Sequence, residues 1–257
     1  MSDKPKVILF DLESLPDLSE AMKVFFKLSN YPGLTMKATH NSIICFGYKE
    51  LGTKHAKCIN AWDFKGWNKN VNDDYELVKA IYDILIEADC IITQNGKAFD
   101  WKFIQTRLMK HGLPPLPKIQ HIDTKILARR HLFLFNNSLE TMAKFLTTTE
   151  KMKSGGIDLW IDTAARCPKA MAKMEKYCKQ DVEALDQVFQ KLLPFVKEMP
   201  NYNVFRRDGA ECCPNCGGFH LQRRGVYVNV STIKTRMSCN TCGTWFAVNK
   251  KGAPKTL

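Results

Sequence analysis

Five of the ten cysteines in this 257-residue chain crowd into residues 212–242, and four of those five form a spacing that chemistry constrains tightly. "CCPNCGG" and "CNTCG" set Cys213 and Cys216, then Cys239 and Cys242, as two C-x-x-C pairs with 22 residues between them. A glycine follows each pair, and its freedom lets the backbone turn so that N–H groups approach the sulfurs. Four thiolates in two such knuckles match a tetrahedral structural Zn²⁺ site. Cys212 is then the spare, with exchange for Cys213 as the alternative. A segment this short buries little core, so one Zn²⁺ is expected to supply its folding free energy.

"GVYVNVS" between the pairs alternates like a strand and "TWFAV" after them reads as another, so the segment resembles a zinc ribbon. The expected division is a body over residues 1–196, a linker over 197–211 and a ribbon with a basic tail over 212–257. The other five cysteines are scattered and read as reduced structural thiols. Lys plus Arg number 38 against 26 Asp plus Glu, a net charge of +12. From residue 197 onward ten basic residues face three acidic ones. Such an excess favours a polyanionic partner. In the ribbon, Arg223, Arg224, Lys234 and Arg236, joined by Arg206 and Arg207, are candidates to contact phosphates, with Tyr227, Trp245 and Phe246 to stack on bases. The alternatives are a small core of aromatics with solubilising charges, or a protein-docking surface. The longest apolar runs fall far short of a membrane span, and "MSDKPKVILF" lacks the apolar core of a signal peptide. An intracellular, cytoplasmic protein with no membrane partner is expected, a viral protein in a host cell included.

In the body, residues 6–12 read as a strand. The polar stretch "SEAMKVFFKLSNYPGLTMKATHN" that follows carries no clear pattern. "SIICFGYKE" and "KHAKCINAWDF" are strand-like runs joined by "LGT", which suits an antiparallel hairpin. "NDDYELVKAIYDILIEAD" has helical spacing, "CIITQ" is a buried strand, and "FDWKFIQTRLMKHG" is a helix stopped by Gly112. A short strand near "IQHID", helices near 124–134 and 138–146, a loop over "TTTEKMKSGGIDLWID" and a long helix beginning at Pro168 complete the order. Three antiparallel strands followed by alternating helices and strands make a mixed α/β sheet.

Chemistry in the body rests on carboxylates. Asp11 and Glu13 lie two apart on the first strand and therefore share a face, where a divalent cation between them would relieve their repulsion. Asp100 sits just inside a helix, a favourable place for any acid. Asp181 follows Tyr177 by four on the long helix, so both project from one side.

The order "FDLE", "NGKAFD", "YCKQD" resembles the three motifs of the DEDD superfamily of 3′–5′ exonucleases, of the ribonuclease H-like fold. Tyr177 resembles the tyrosine-bearing branch, which includes proofreading domains of family B DNA polymerases, and "HIDTKILARR" and "SLETMAKFL" look like connecting segments of stand-alone phage and bacterial members. The resemblance spans about residues 5–196. It implies Asp11, Glu13, Asp100 and Asp181 as catalytic acids holding two Mg²⁺ or Mn²⁺ ions, and Tyr177 as the group that orients the attacking water. Two ions roughly 3.5–4 Å apart stabilise both the attacking and leaving oxygens of phosphodiester cleavage. Leu12, Asn95 and Phe99 become candidates for substrate contact, with turn-capping an equal role for Asn95 and core packing an alternative for Leu12. The implied substrate is single-stranded nucleic acid, DNA favoured over RNA, and the implied setting is replication or repair beside a polymerase or related protein. A non-catalytic adaptor and an endonuclease of the same fold are the alternatives.

Overall fold

The computed structural model of the chain describes residues 4–15, 42–147, 156, 158–205 and 211–249. Residues 16–41, residues 148–155 of the expected loop, Arg206 and Arg207, and the basic tail from 250 lie outside them.

In chain order the elements are β1 (Val7–Ser14), β2 (Ile43–Glu50), β3 (Lys57–Asn60), α1 (Lys65–Lys69), α2 (Tyr75–Leu85), β4 (Cys90–Thr93), α3 (Asp100–Lys110) and β5 (Gln120–Asp123). There follow α4 (Thr124–His131), α5 (Leu139–Leu146), α6 (Asp158–Ala164), α7 (Pro168–Leu192), α8 (Tyr202–Phe205), β6 (Leu221–Val228), β7 (Ile233–Cys239) and β8 (Trp245–Asn249). Strands β3-β2-β1-β4-β5 form one sheet, antiparallel across β3, β2 and β1 and parallel across β1, β4 and β5. Strands β6, β7 and β8 form a separate antiparallel sheet.

The pleat of β1 decides which helices cover which face. Val7 and Leu9 pack in one buried cluster with Val182, Leu185 and Phe189 of α7. Ile8, Phe10 and Leu12 point the other way, into a cluster with Leu77 and Ile81 of α2 and Phe103 and Ile104 of α3. Gly47 on β2 lets α7 approach closely, since a Cβ there would meet the carbonyl oxygen and Sγ of Cys178 at 2.9 Å.

Four local expectations change. Residues 158–164 are helical, because Leu159 and Ala164 bury themselves in a third cluster against Met174, Tyr177 and Cys178. The strand in "KHAKCINAWDF" stops at Asn60, where Asp63 accepts from the Asn60 backbone N–H at 3.0 Å and a 3₁₀ turn begins. The helix near 124–134 ends at His131 and the chain leaves it extended at Leu132. The ribbon has a central strand, β7, that polar residues such as Lys234, Thr235 and Arg236 conceal from a reading of alternation.

The ribbon is anchored to the body. The amide of Asn215, itself buried, donates to the carbonyls of Leu193 (3.2 Å) and Val196 (2.7 Å), just past the end of α7. Tyr202 N–H donates to Pro214 O at 3.0 Å, and the Asn203 side chain brackets Cys212, accepting from its N–H and donating to its carbonyl at 2.9 Å each. Residues 197–205, part of the expected linker, thus pack between the two sheets' domains.

Candidate active site

Asp11 and Glu13 share the parity of Val7 and Leu9, so the pleat turns both toward α7. Tyr177 and Asp181, one helical turn apart, look back at them. One carboxylate oxygen from each of Asp11, Glu13 and Asp181 lies within 4.8 Å of the others. Ligands of an octahedral ion about 2.1 Å from its centre lie at most about 4.2 Å apart. Oxygens already this close reach that spacing by small side-chain rotations, so the three residues fit a divalent cation. Asp181 is 2% exposed and Tyr177 is 8% exposed, whereas Asp11 and Glu13 are half-buried. Tyr177 is held from the side by the Trp160 ring of α6, edge-on at 6.1 Å.

Asp100 stands beside this trio without joining it. It opens α3, and its carboxylate takes the backbone N–H of Leu12, the residue between Asp11 and Glu13. Burial pushes its carboxyl up to about 7, while hydrogen bonds from its own and the Leu12 N–H oppose the rise and the charge of Asp123 adds to it. Leu12 itself is buried against α3, and Phe99, 40% exposed, stacks on Phe103 with centroids 5.5 Å apart.

Asp123 is a participant that sequence reading did not single out. At the end of β5 its Oδ1 accepts from the N–H groups of Asn95 (3.1 Å), Lys125 (3.0 Å) and Ile126 (3.3 Å), and Oδ2 from Lys97 (3.1 Å). It caps α4 and pins the turn that delivers Asp100. In that turn Asn95 has φ of 64°, and a Cβ on Gly96 would strike Thr93 Oγ1 at 2.3 Å. An acid next to "TKIL" is a visible N-cap signal, but its partners 26 and 28 residues upstream are not. A second unforeseen group supports the same helix: Asp74, fully buried, accepts from Arg107 of α3, from His111 at 2.6 Å and from Ile43 N–H at 2.8 Å.

Cys213, Cys216, Cys239 and Cys242 form a second cluster, with their sulfurs within 4.8 Å of one another. Cys213–Cys242 and Cys216–Cys239 are 3.7 Å apart. Four sulfurs at about 2.3 Å in a tetrahedron are separated by about 3.8 Å, so this donor set fits Zn²⁺. Cys212 lies outside the cluster, its backbone held by Asn203.

The ribbon's pleat sorts its cations. Lys234 faces Tyr227 and Ser238 faces Trp245 across the strands, and Arg236 shares their side. Arg224, at an irregularity in β6, reaches the same side, its Nε 3.4 Å from Ser238 Oγ. Arg223 pairs with Met237 and belongs to the opposite face. Tyr227 and Trp245 are 44% and 57% exposed.

A family model described as the RNase_H superfamily matches residues 33–193, more than half of the chain. The chain belongs to the RNase_H superfamily. The match begins beyond β1, so Asp11 and Glu13 are outside it, and Asp100, Tyr177 and Asp181 inside. Among solved structures, the family B DNA polymerase from the hyperthermophilic archaeon Pyrobaculum calidifontis is similar in fold over 89% of the chain, with a TM-score of 0.55 and 15% identity. A curated relative, the uncharacterized protein YprB of Bacillus subtilis (strain 168), is 36% identical over 72 residues, 27% of the chain. The chain spans 31% of the polymerase and 16% of YprB. Membership of the superfamily supports a nuclease function and a nucleic-acid substrate. Among the described residues no helix is long and apolar enough to cross a membrane.

Proposed function

We propose that the protein is a metal-dependent 3′–5′ exonuclease that hydrolyses phosphodiester bonds at single-stranded ends, DNA in preference to RNA, by a two-metal mechanism. The observation that carries the reading is the convergence of Asp11, Glu13 and Asp181 within 4.8 Å, with Tyr177 one turn from Asp181. Asp11, Glu13 and Asp181 would hold Mg²⁺ or Mn²⁺ with Asp100 at the margin. Bound there, the ions acidify water and neutralise charge on the scissile phosphate. The Tyr177 hydroxyl orients the attacking water, a role that needs no loss of its proton. Asn95 and Phe99 lie at the turn and helix start next to Asp100, in reach of a terminal nucleotide. The body over 1–196 carries this chemistry. The ribbon, with Zn²⁺ on its four cysteines, is a separate domain whose Arg224, Lys234, Arg236, Tyr227 and Trp245 face helps hold the strand, while Arg223, on the opposite face, is left out of that contact. The preference for DNA, and a polymerase or other replication or repair protein as the source of the ends, are part of the proposal.

The test is digestion of 3′- and 5′-labelled single-stranded DNA and RNA with Mg²⁺ or Mn²⁺, by wild type and Asp11→Ala, with a circular strand as control. Stepwise shortening from the 3′ end, lost in Asp11→Ala, is expected. Cutting of the circle would assign an endonuclease, and binding without cutting an adaptor.

A further inference from the structure

Phe133 and Phe135, between α4 and α5, are the most exposed aromatic side chains among the described residues, at 104% and 107%. Phe145 on α5 is 72% exposed. Leu132 and Leu134 alternate with the two outward rings and pack on the core cluster under α7, so the connection is itself firmly seated. Leu132 leaves α4 extended, and the alternation of half-buried and exposed residues from 132 to 135 turns both rings outward.

The charge around the rings is mainly positive, with Glu140 and Glu198 as the acids. Residues 124–147 contain Lys125, Arg129, Arg130 and Lys144 against one acid, Glu140. Arg130 is engaged with Glu198, while Arg129 and Lys144 are exposed. A covering protein with an apolar surface would leave these cations without partners. A polyanion carrying flat apolar groups satisfies both features at once.

The connection is also tied to the candidate active site. Gln94, the residue before Asn95, donates from Nε2 to Asn137 O at 2.8 Å, and the Thr124 hydroxyl faces Gln94 Oε1 at 2.5 Å. The end of the aromatic segment is thereby stapled to the start of the turn that delivers Asp100.

Resting on the exonuclease reading, we infer that Phe133 and Phe135, with Arg129 and Lys144, form a second contact surface on which the single strand stacks outside the candidate active site. Two outward rings two residues apart present neighbouring stacking platforms, and the cations meet the phosphates of the same strand.

The experiment uses the full zinc-loaded chain and thymidine oligonucleotides from 3 to 30 nucleotides. Fluorescence anisotropy compares wild type, Phe133→Ala/Phe135→Ala and Phe133→Tyr/Phe135→Tyr, with thermal unfolding to verify that these surface variants fold. Affinity of the wild type is expected to rise with length. The alanine pair is expected to bind the 30-mer at least tenfold more weakly and to lose most of that rise, and the tyrosine pair to restore it. Arg129→Gln/Lys144→Gln is expected to lower the slope of log K against log salt by about one per lost phosphate contact. If wild type digests 3′ ends but the alanine pair binds and digests the 30-mer equally well, this inference falls and the exonuclease reading stands. If wild type neither binds nor cuts any strand, both fall. A change in the sedimentation of the chain alone in the alanine pair, with strand binding intact, assigns the rings to contact between copies and also overturns the inference.

Discussion

Replacing Asp123 by Asn tests whether the end of β5 positions the active-site turn. The two side chains are nearly isosteric and cap helices about equally well, so the start of α4 should tolerate the change. An asparagine that keeps its oxygen where Oδ1 now lies retains the N–H groups of Asn95, Lys125 and Ile126. Its amide then confronts the Lys97 N–H, donor against donor, where Oδ2 now accepts at 3.1 Å. Loss of one hydrogen bond to a charged acceptor costs about 1.5–3 kcal/mol, and the three that remain weaken as the charge disappears. The expected loss is about 2–3 kcal/mol, a fall in melting temperature of roughly 4–12 °C for a chain of this size. Activity should fall further than stability predicts, since a misplacement of about 1 Å at a reacting centre costs on the order of 10²-fold. Chemical denaturation gives the first quantity, and single-turnover digestion of a labelled strand well below the melting point gives the second. A variant as stable as wild type would refute the hydrogen-bond argument. One that is destabilised yet cuts at the wild-type rate would show that the turn from Asn95 to Lys97 does not position Asp100.

Asn95, at φ of 64°, should accept glycine with a stability change of a few tenths of a kcal/mol, whereas Asn95→Val should lose about 1–3 kcal/mol in thermal unfolding. A large drop in activity for the glycine variant would then belong to the side chain and not to the turn. Metal analysis should find one Zn²⁺ per chain, reduced by Cys239→Ser. Asn215→Ala should cost about 1–3 kcal/mol by removing the donor to two carbonyls beside α7, measured in the zinc-loaded protein. Asp100 ionises at about 7 in the fold against 3.8 ordinarily, so folding favours its protonated form in the absence of metal. Its contribution is complete below about pH 4 and is lost as pH rises through 7. Urea midpoints in chelator should therefore fall from pH 5 to pH 8, and Asp100→Asn should flatten that fall.

The parts of this molecule that sequence exposes are those written in short-range periodicity. The face shared by Asp11 and Glu13 follows from a strand's period of two, that of Tyr177 and Asp181 from a helix's near-four, and the four-cysteine cluster from its own spacing. The mixed sense of the sheet emerges too, since "LGT" suits an antiparallel neighbour and strand-helix alternation suits parallel ones, although the order of the strands does not. What stays hidden is written across distance. Asp74 reads as one acid among several before α2, yet it is fully buried because Arg107, His111 and Ile43 arrive from elsewhere in the chain. Helix α6 has weak local signals and exists because Leu159 and Ala164 find α7.

The same distinction separates the acids. Asp11, Glu13 and Asp181 need only the pleat of β1 and the register of α7 to meet, and Gly47 permits the close approach that brings strand and helix together. Asp100 depends on a longer chain of constraint: Asp123 fixes the turn, Asp74 and Arg107 fix the helix behind it, and the Leu12 N–H receives the carboxylate. It is the acid whose position is most exposed to substitutions far from it, and burial pushes its carboxyl up to about 7. A nuclease built this way should lose activity through Asp123 or Arg107 while its three clustered carboxylates remain in place. That pattern is one that no inspection of the motifs alone would anticipate.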